Sequence, residues 1–377
     1  MKIPLFRPAI NRKDMQAVLE TMVDDTLGPG QISEQFIHAL LEFFDLEGGL
    51  PFRELRRAVQ VLSGALSLKD GEGLLLSPLL SRVYAEVIQS AGIPFDWVDV
   101  DPRNGTVSPE TLADALKKER PFRPVGVVCD TSLGFVPLLE DIARQIDTVI
   151  LDISKGCGAR LGDALAGSTA DYVILSLEEE DMLTTGGGAA VLGRTRKHAA
   201  ALNQASAAVS REVFLADLNA ALGVTQLKEL PQRLVRRQEV AEVLHRAVQQ
   251  SRHRLLVQPG DAEQVYYGLP LIVETGRKDV EAYAKKKGVE TRPAYAHSIL
   301  DVYGVESDQA ETAANRDAGD AHSDTAADTS VPAAIVCPAA EVPNAAGLWR
   351  RCLLFPLYPS LPTPQIRELS KILISLP

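Results

Sequence analysis

Cysteine is scarce in this chain. Cys129, Cys157, Cys337 and Cys352 are the four among 377 residues, widely spaced and with no CxxC pair. That excludes a disulfide-stapled secreted scaffold and a thiolate metal centre, and it predicts reduced thiols in a cytoplasmic protein. Long apolar runs are missing too: none approaches the roughly 18 residues needed to cross a bilayer. The opening Met1-Lys2-Ile3-Pro4-Leu5-Phe6-Arg7-Pro8 lacks the apolar core of a signal peptide. Cations are the minority charge, 39 Lys and Arg against 50 Asp and Glu, for a net charge of −11. A surface of that sign repels nucleic acid and anionic lipid, so neither partner is expected. Walker loops, GxGxxG and any Ser-His-Asp arrangement are absent as well. What remains is an ordinary globular composition, 46% apolar and 24% charged.

Between about residues 50 and 195, apolar strand-like runs alternate with helix-like stretches. Runs at 73–77, 96–100, 125–129, 148–152, 172–176 and 189–193 read as strands. Ser108-Pro109-Glu110 marks a helix start, with a capping hydroxyl, a proline at the first position and an acid near the positive end. Continuously apolar strands at βαβ spacing predict a mostly parallel sheet covered on both faces, an α/β fold. In such sheets chemistry sits at the carboxyl ends of strands, which draws attention to Asp130, Asp152 and the residues after Ser176. Beyond residue 210 a long helical periodicity runs from Leu215 to Gln250, with a break expected at Pro231. Strands at 268–273 and 353–357 follow. We expect a large domain over 1–210 and a smaller C-terminal α/β domain over 211–377. Residues 306–330, rich in Ala, Asp, Thr and Ser and without Leu, Ile, Phe or Met, are expected to be a disordered insertion.

Several segments, in order along most of the chain, resemble the DegT/DnrJ/StrS family of sugar aminotransferases. They are Ile3–Pro8 with Leu27-Gly28-Pro29-Gly30, Ala91–Pro94 running into Val98–Asp101, and Leu151-Asp152 to Gly158-Ala159. Leu183–Ala189, Leu218–Gly223 with Gln226-Leu227 and Arg236-Arg237, and Leu354–Pro359 complete the set. The resemblance implies the aspartate-aminotransferase fold, fold type I, with pyridoxal phosphate (PLP) as cofactor. It also implies a nucleotide keto-sugar substrate and a homodimer, or a heterodimer with an active relative.

Carried over residue by residue, the resemblance puts Asp152 at the position that holds the pyridinium nitrogen, where a carboxylate strengthens the cofactor's electron sink. Ser176 falls at a phosphate-binding serine. The Schiff-base lysine, three residues before the Thr-Thr-Gly turn, is replaced by Asp181, and Ser176–Met182 contains no lysine at all. A carboxylate cannot form an imine with an aldehyde. The family's phosphate-binding Ser-Gly-Thr turn falls at Gly48-Gly49-Leu50, its partner-reaching asparagine at Glu212 and its ring-stacking aromatic near Ser81. Glu178, Glu179, Glu180 and Asp181 would stand beside the phosphate, where like charges at 4 Å repel by about 4 kcal/mol at an effective dielectric near 20.

Lys155, three residues after Asp152, is either a displaced Schiff-base lysine or an ion-pair partner filling the pocket against Asp152. His297 lies where the family has a substrate-side loop; it is either a sugar contact or a surface histidine. No metal site is expected. The sequence thus implies an aminotransferase-like protein of nucleotide-sugar and surface-polysaccharide metabolism whose catalytic site is degenerate. The alternative is an active enzyme, aminotransferase or dehydratase, that uses PLP or its amine form without the usual lysine.

Overall fold

The computed structural model describes residues 2–23, 27–305 and 334–377; the expected disordered insertion at 306–330 lies outside the described residues. Seven strands form the large sheet: β1 (Gly48–Phe52), β2 (Glu72–Leu76), β3 (Phe95–Trp97), β4 (Arg123–Asp130), β5 (Thr148–Asp152), β6 (Tyr172–Ser176) and β7 (Ala189–Gly193). Their order is β1-β7-β6-β5-β4-β2-β3. Strands β3, β2, β4, β5 and β6 run parallel, while β7 is antiparallel to both β6 and β1. The parallel strands are apolar nearly throughout because helices cover both faces, and Val127, Ile150, Leu151 and Ile174 are fully buried.

Local sequence signals are obeyed where they are strong. The helix Pro109–Leu116 opens with a capping box: the Thr111 amide donates to the Ser108 hydroxyl at 3.2 Å, and the Ser108 amide donates to Thr111 Oγ1 at 3.0 Å. At Gly48-Gly49-Leu50 the structure differs from expectation. These residues lie in edge strand β1, not in a turn at a helix start, and a Cβ on Gly49 would sit 2.4 Å from Leu192 Cδ2. The glycine permits close strand approach. The following helix begins later, at Leu55, with Glu54 as its N-cap.

A single helix of 32 residues, Asp217–Val248, runs on past Pro231 without the expected break. Proline forfeits one backbone hydrogen bond there, but packing holds both flanks, with Leu227 and Leu230 in one core and Val240, Ala241 and Leu244 in another. At its start, the Asp217 carboxylate accepts from the amides of Gly30, Ile32 and Ser33, neutralising the open end of helix Gln31–Phe44. The second core surrounds an antiparallel sheet, β8 (Arg254–Leu255), β9 (Leu269–Ile272), β10 (Arg292–Pro293) and β11 (Cys352–Phe355), ordered β8-β9-β11-β10. Ile3 bridges Val289 and is buried in this second core. No helix among the described residues is long and apolar enough to cross a membrane.

Candidate functional site

Strands β4, β5 and β6 end side by side. Asp130 and Asp152 are register partners at the last positions of β4 and β5, and Ser176 ends β6. The β6–β7 connection, residues 177–188, arches over these ends and carries Glu178 and Asp181. Its shape is set by Gly186, Gly187 and Gly188, all at positive φ (73°, 120° and 132°), a conformation side chains resist. Hydrogen bonds fix the arch: Asn219 Nδ2 donates to Thr185 O at 2.8 Å, and Thr184 Oγ1 donates to Leu177 O at 3.2 Å. Beneath it lies a cavity of about 310 Å³ lined by Asp130, Asp152, Lys155, Ser176, Glu178 and Asp181, with an apolar wall of Leu55, Leu79, Leu80 and Val83.

Asp152 is buried, and the chain holds both of its oxygens. Tyr84 Oη donates to Oδ2 at 2.7 Å, and the amide of Ser154 donates to Oδ1 at 2.9 Å. The Ser154 hydroxyl also bonds Oδ1 and accepts from the Ser176 amide at 2.7 Å, tying β5 to β6. Asp130 is only 7% exposed and its Oδ1 has no hydrogen-bond partner. Burial pushes its pKa up to about 7; nearby Asp152 adds to the rise and Lys155 opposes it. Asp181 is likewise pushed up to about 7 by burial, although the Ser176 hydroxyl and the Glu178 amide, which donates at 3.0 Å, favour its charged form.

Four of the five residues picked from sequence therefore meet: Asp152, Lys155, Ser176 and Asp181 share one cavity. The ion pair between Lys155 and Asp152 is not formed; no described carboxylate lies within 4.0 Å of the Lys155 ammonium. The turn after β5, closed by Gly156 N donating to Ile153 O at 3.0 Å, carries Lys155 to the Tyr267 ring, 5.7 Å from its centroid. His297 is exposed, at φ 65°, outside the cavity lining. Its amide donates to Asp301, and its carbonyl accepts from Arg82 beside the cavity's Ser81. Glu212 is exposed on the short helix Arg211–Val213, and Cys157 is a buried free thiol. Tyr84 and Ser154 were missed. The signal available for Tyr84 was a phenol on the buried face of an amphipathic helix, which requires a partner for its hydroxyl.

Two positions that the resemblance gives to PLP, one for the ring nitrogen and one for the phosphate, line this cavity. Asp152 is a buried carboxylate of the kind that faces a ring nitrogen, and Ser176 offers a hydroxyl. Ser81, Thr131, Ser154, Leu55 and Glu178 also line the cavity. Asp181, at the position the resemblance gives to the Schiff-base lysine, presents a carboxyl to the same cavity. Lys155 is the amine in its lining. Among the described residues no group of three or more His, Cys, Asp or Glu is placed to hold a metal ion.

Comparison with known proteins places this fold. The chain is 23% identical over 248 residues to the UDP-4-amino-4,6-dideoxy-N-acetyl-beta-L-altrosamine transaminase of Campylobacter jejuni, covering 61% of this chain and 65% of that protein. The alignment thus spans less than two thirds of that relative's length. A spore coat polysaccharide biosynthesis protein of Bacillus subtilis is 25% identical over 400 aligned residues, covering 95% of this chain and 93% of the relative. Among solved structures, the GDP-4-keto-6-deoxy-D-mannose-3-dehydratase of E. coli, with bound hydrated PLP, superposes with a TM-score of 0.81 at 16% identity over 99% of each chain. Residues 8–332 match the model of one family, and on that span the chain belongs to the DegT/DnrJ/EryC1/StrS aminotransferase family.

Proposed function

We propose that this chain is a non-transaminating member of the family, working in nucleotide-sugar or surface-polysaccharide metabolism by binding rather than by lysine-based turnover. One observation carries the reading: the arch that would present a Schiff-base amine presents Asp181 instead, and Lys155 is turned towards Tyr267. A nucleotide sugar is the ligand class that the family relationship favours. A homodimer, or association with an active relative, would follow the same relationship. The stripe Met15, Leu19 and Met22, each more than half exposed on helix Arg12–Val23, supports self-association.

The test is the visible spectrum of the purified chain with added PLP, followed by borohydride reduction and peptide mapping. The expected result is no reduced adduct on Lys155, together with a rise in melting temperature with a nucleotide sugar in the absence of PLP. An adduct on Lys155 accompanied by amino transfer would overturn the reading.

A second reading, a PLP-dependent aminotransferase or dehydratase working without the lysine, draws support from the Tyr84–Asp152–Ser154 network, which keeps a carboxylate buried at the ring-nitrogen position. Tight, non-covalent PLP retention through gel filtration would favour it over the first.

A further inference from the structure

We propose that the groove between helix Arg277–Lys286 and the segment leading into β10 binds the diphosphate of a nucleotide, held by Lys278 and Lys285. The proposal rests on the nucleotide-sugar reading and gives the anionic half of that ligand a place away from the strand-end cavity.

The charge balance of the groove points there. The chain carries a net charge of −11, yet this lining turns five cations against two carboxylates, Glu281 and Glu290. Both carboxylates are already engaged. Glu290 meets the Lys2 ammonium at 2.7 Å and accepts from the Leu5 amide at 3.2 Å, and Glu281 faces Arg277 at 3.7 Å. A third cation of the lining, Arg292, is held by Glu180. That leaves Lys278 and Lys285, both exposed in the groove, with no described carboxylate within 4.0 Å of either ammonium. Seven residues apart on one helix, they share a face at about 10 Å along its axis. Ala282 lies between them, and its small side chain keeps the space open.

Two uncompensated ammonium groups on flexible four-carbon stems suit one ligand with two or more negative charges. A single phosphate would occupy one head and leave the other unpaired, and a metal cation would be repelled. The strand-end cavity is a poor place for the same anion, because Asp130, Asp152, Glu178 and Asp181 line it with Lys155 as their one cation. Cationic lining also concentrates anions at a groove that the rest of an acidic surface turns away. The groove has a volume of about 660 Å³, against about 310 Å³ for the strand-end cavity. That lies within the roughly 300–1,000 Å³ of small-molecule sites, so a nucleoside has room beside its phosphates.

Isothermal titration calorimetry on the full chain without added PLP, with UDP, UMP and uridine as probes at low and high salt, tests this. UDP is expected to bind at least fivefold more tightly than UMP, uridine to give no saturable heat, and UDP to weaken at least threefold as salt rises. The double substitution Lys278→Ala with Lys285→Ala is expected to weaken UDP at least tenfold. Both side chains are exposed, so the melting temperature should not move, and each single substitution should weaken UDP at least threefold. Equal affinities for UDP and UMP overturn the proposal. So does UDP binding that the double variant leaves unaltered, or that Lys155→Ala abolishes. Pyrophosphate and a UDP-sugar on the same samples separate the groove from the reading beneath it. Pyrophosphate binding that the double variant loses, with no thermal shift from the UDP-sugar, supports the diphosphate site and defeats the nucleotide-sugar reading. A UDP-sugar that raises the melting temperature of the double variant as much as that of the unaltered chain supports the reading and defeats the groove.

Discussion

The phenol of Tyr84 donates to Asp152 Oδ2 at 2.7 Å while the Ser154 amide donates to Oδ1 at 2.9 Å, so the chain itself satisfies a buried carboxylate at the centre of the cavity. Removing one donor leaves a charge-assisted bond unmade. Tyr84→Phe should cost about 2 kcal/mol in urea unfolding, the range for hydrogen bonds to charged groups. A midpoint unchanged from that of the unaltered chain would show that Asp152 does not depend on this phenol.

Asp130 makes stability depend on pH. Its folded pKa of about 7 lies above the carboxyl's ordinary value of 3.8. Between those values the folded state binds more protons than the unfolded one, so this group's contribution is full below pH 4 and is lost as pH rises to 7. Asp130→Asn removes that loss. The variant should gain on the unaltered chain by about 1 kcal/mol or more at pH 8, with the gain shrinking towards pH 5. A difference that stays flat from pH 5 to pH 8 would contradict the assignment.

Arg292 clamps the arch from strand β10 of the second sheet. Its guanidinium meets Glu180 through two hydrogen bonds, 3.2 Å to Oε1 and 2.8 Å to Oε2, and lies over the Phe6 ring at 5.1 Å. Both partners are partly exposed, so the pair adds at most about 1 kcal/mol to global stability. Its effect should be local. Glu180→Gln is expected to speed amide exchange at residues 178–182 by several-fold with a melting temperature nearly unchanged; exchange identical to that of the unaltered chain would count against the clamp.

Gly188 tests the shape of the arch. At φ 132° a side chain is strained, and a Cβ would lie 2.7 Å from Leu215 Cδ1 and 3.1 Å from the Phe52 carbonyl. Gly188→Ala should therefore destabilise by about 2 kcal/mol. Gly186, at φ 73° and with a Cβ meeting nothing nearer than Asn219 Nδ2 at 4.0 Å, should tolerate alanine better. Equal melting temperatures for the two variants would refute this account.

Much of the site was legible because strand ends are local features. Asp152 and Ser176 close apolar runs whose length and spacing announce a parallel sheet, and Asp181 sits at a fixed distance from a glycine turn that sequence marks plainly. Long-range partners were not legible. Tyr84 reads as one more core residue on helix Arg82–Ser90, since its partner is 68 residues away. The direction of Lys155 depends on one turn closed at Gly156, which no spacing rule specifies. Strand β1 was missed because the resemblance carried a turn onto Gly48-Gly49-Leu50, and only the pairing with Gly193, Leu192 and Val191 shows these residues as strand. Pro231 looks like a helix break until both of its flanks are found in hydrophobic cores.

The helix Asp217–Val248 contributes Leu227 and Leu230 to one core and Val240, Leu244 and Val248 to the other. Neither core can melt without stripping half of a helix that the other needs, so heat should dissolve both in one cooperative transition. No lining residue of the Asp152 cavity comes from that helix. The helix that joins the two cores and the carboxylates that line the cavity thus come from separate stretches of chain. A lineage could exchange a lysine for an aspartate at position 181, and with it a chemistry, while the architecture around it persists.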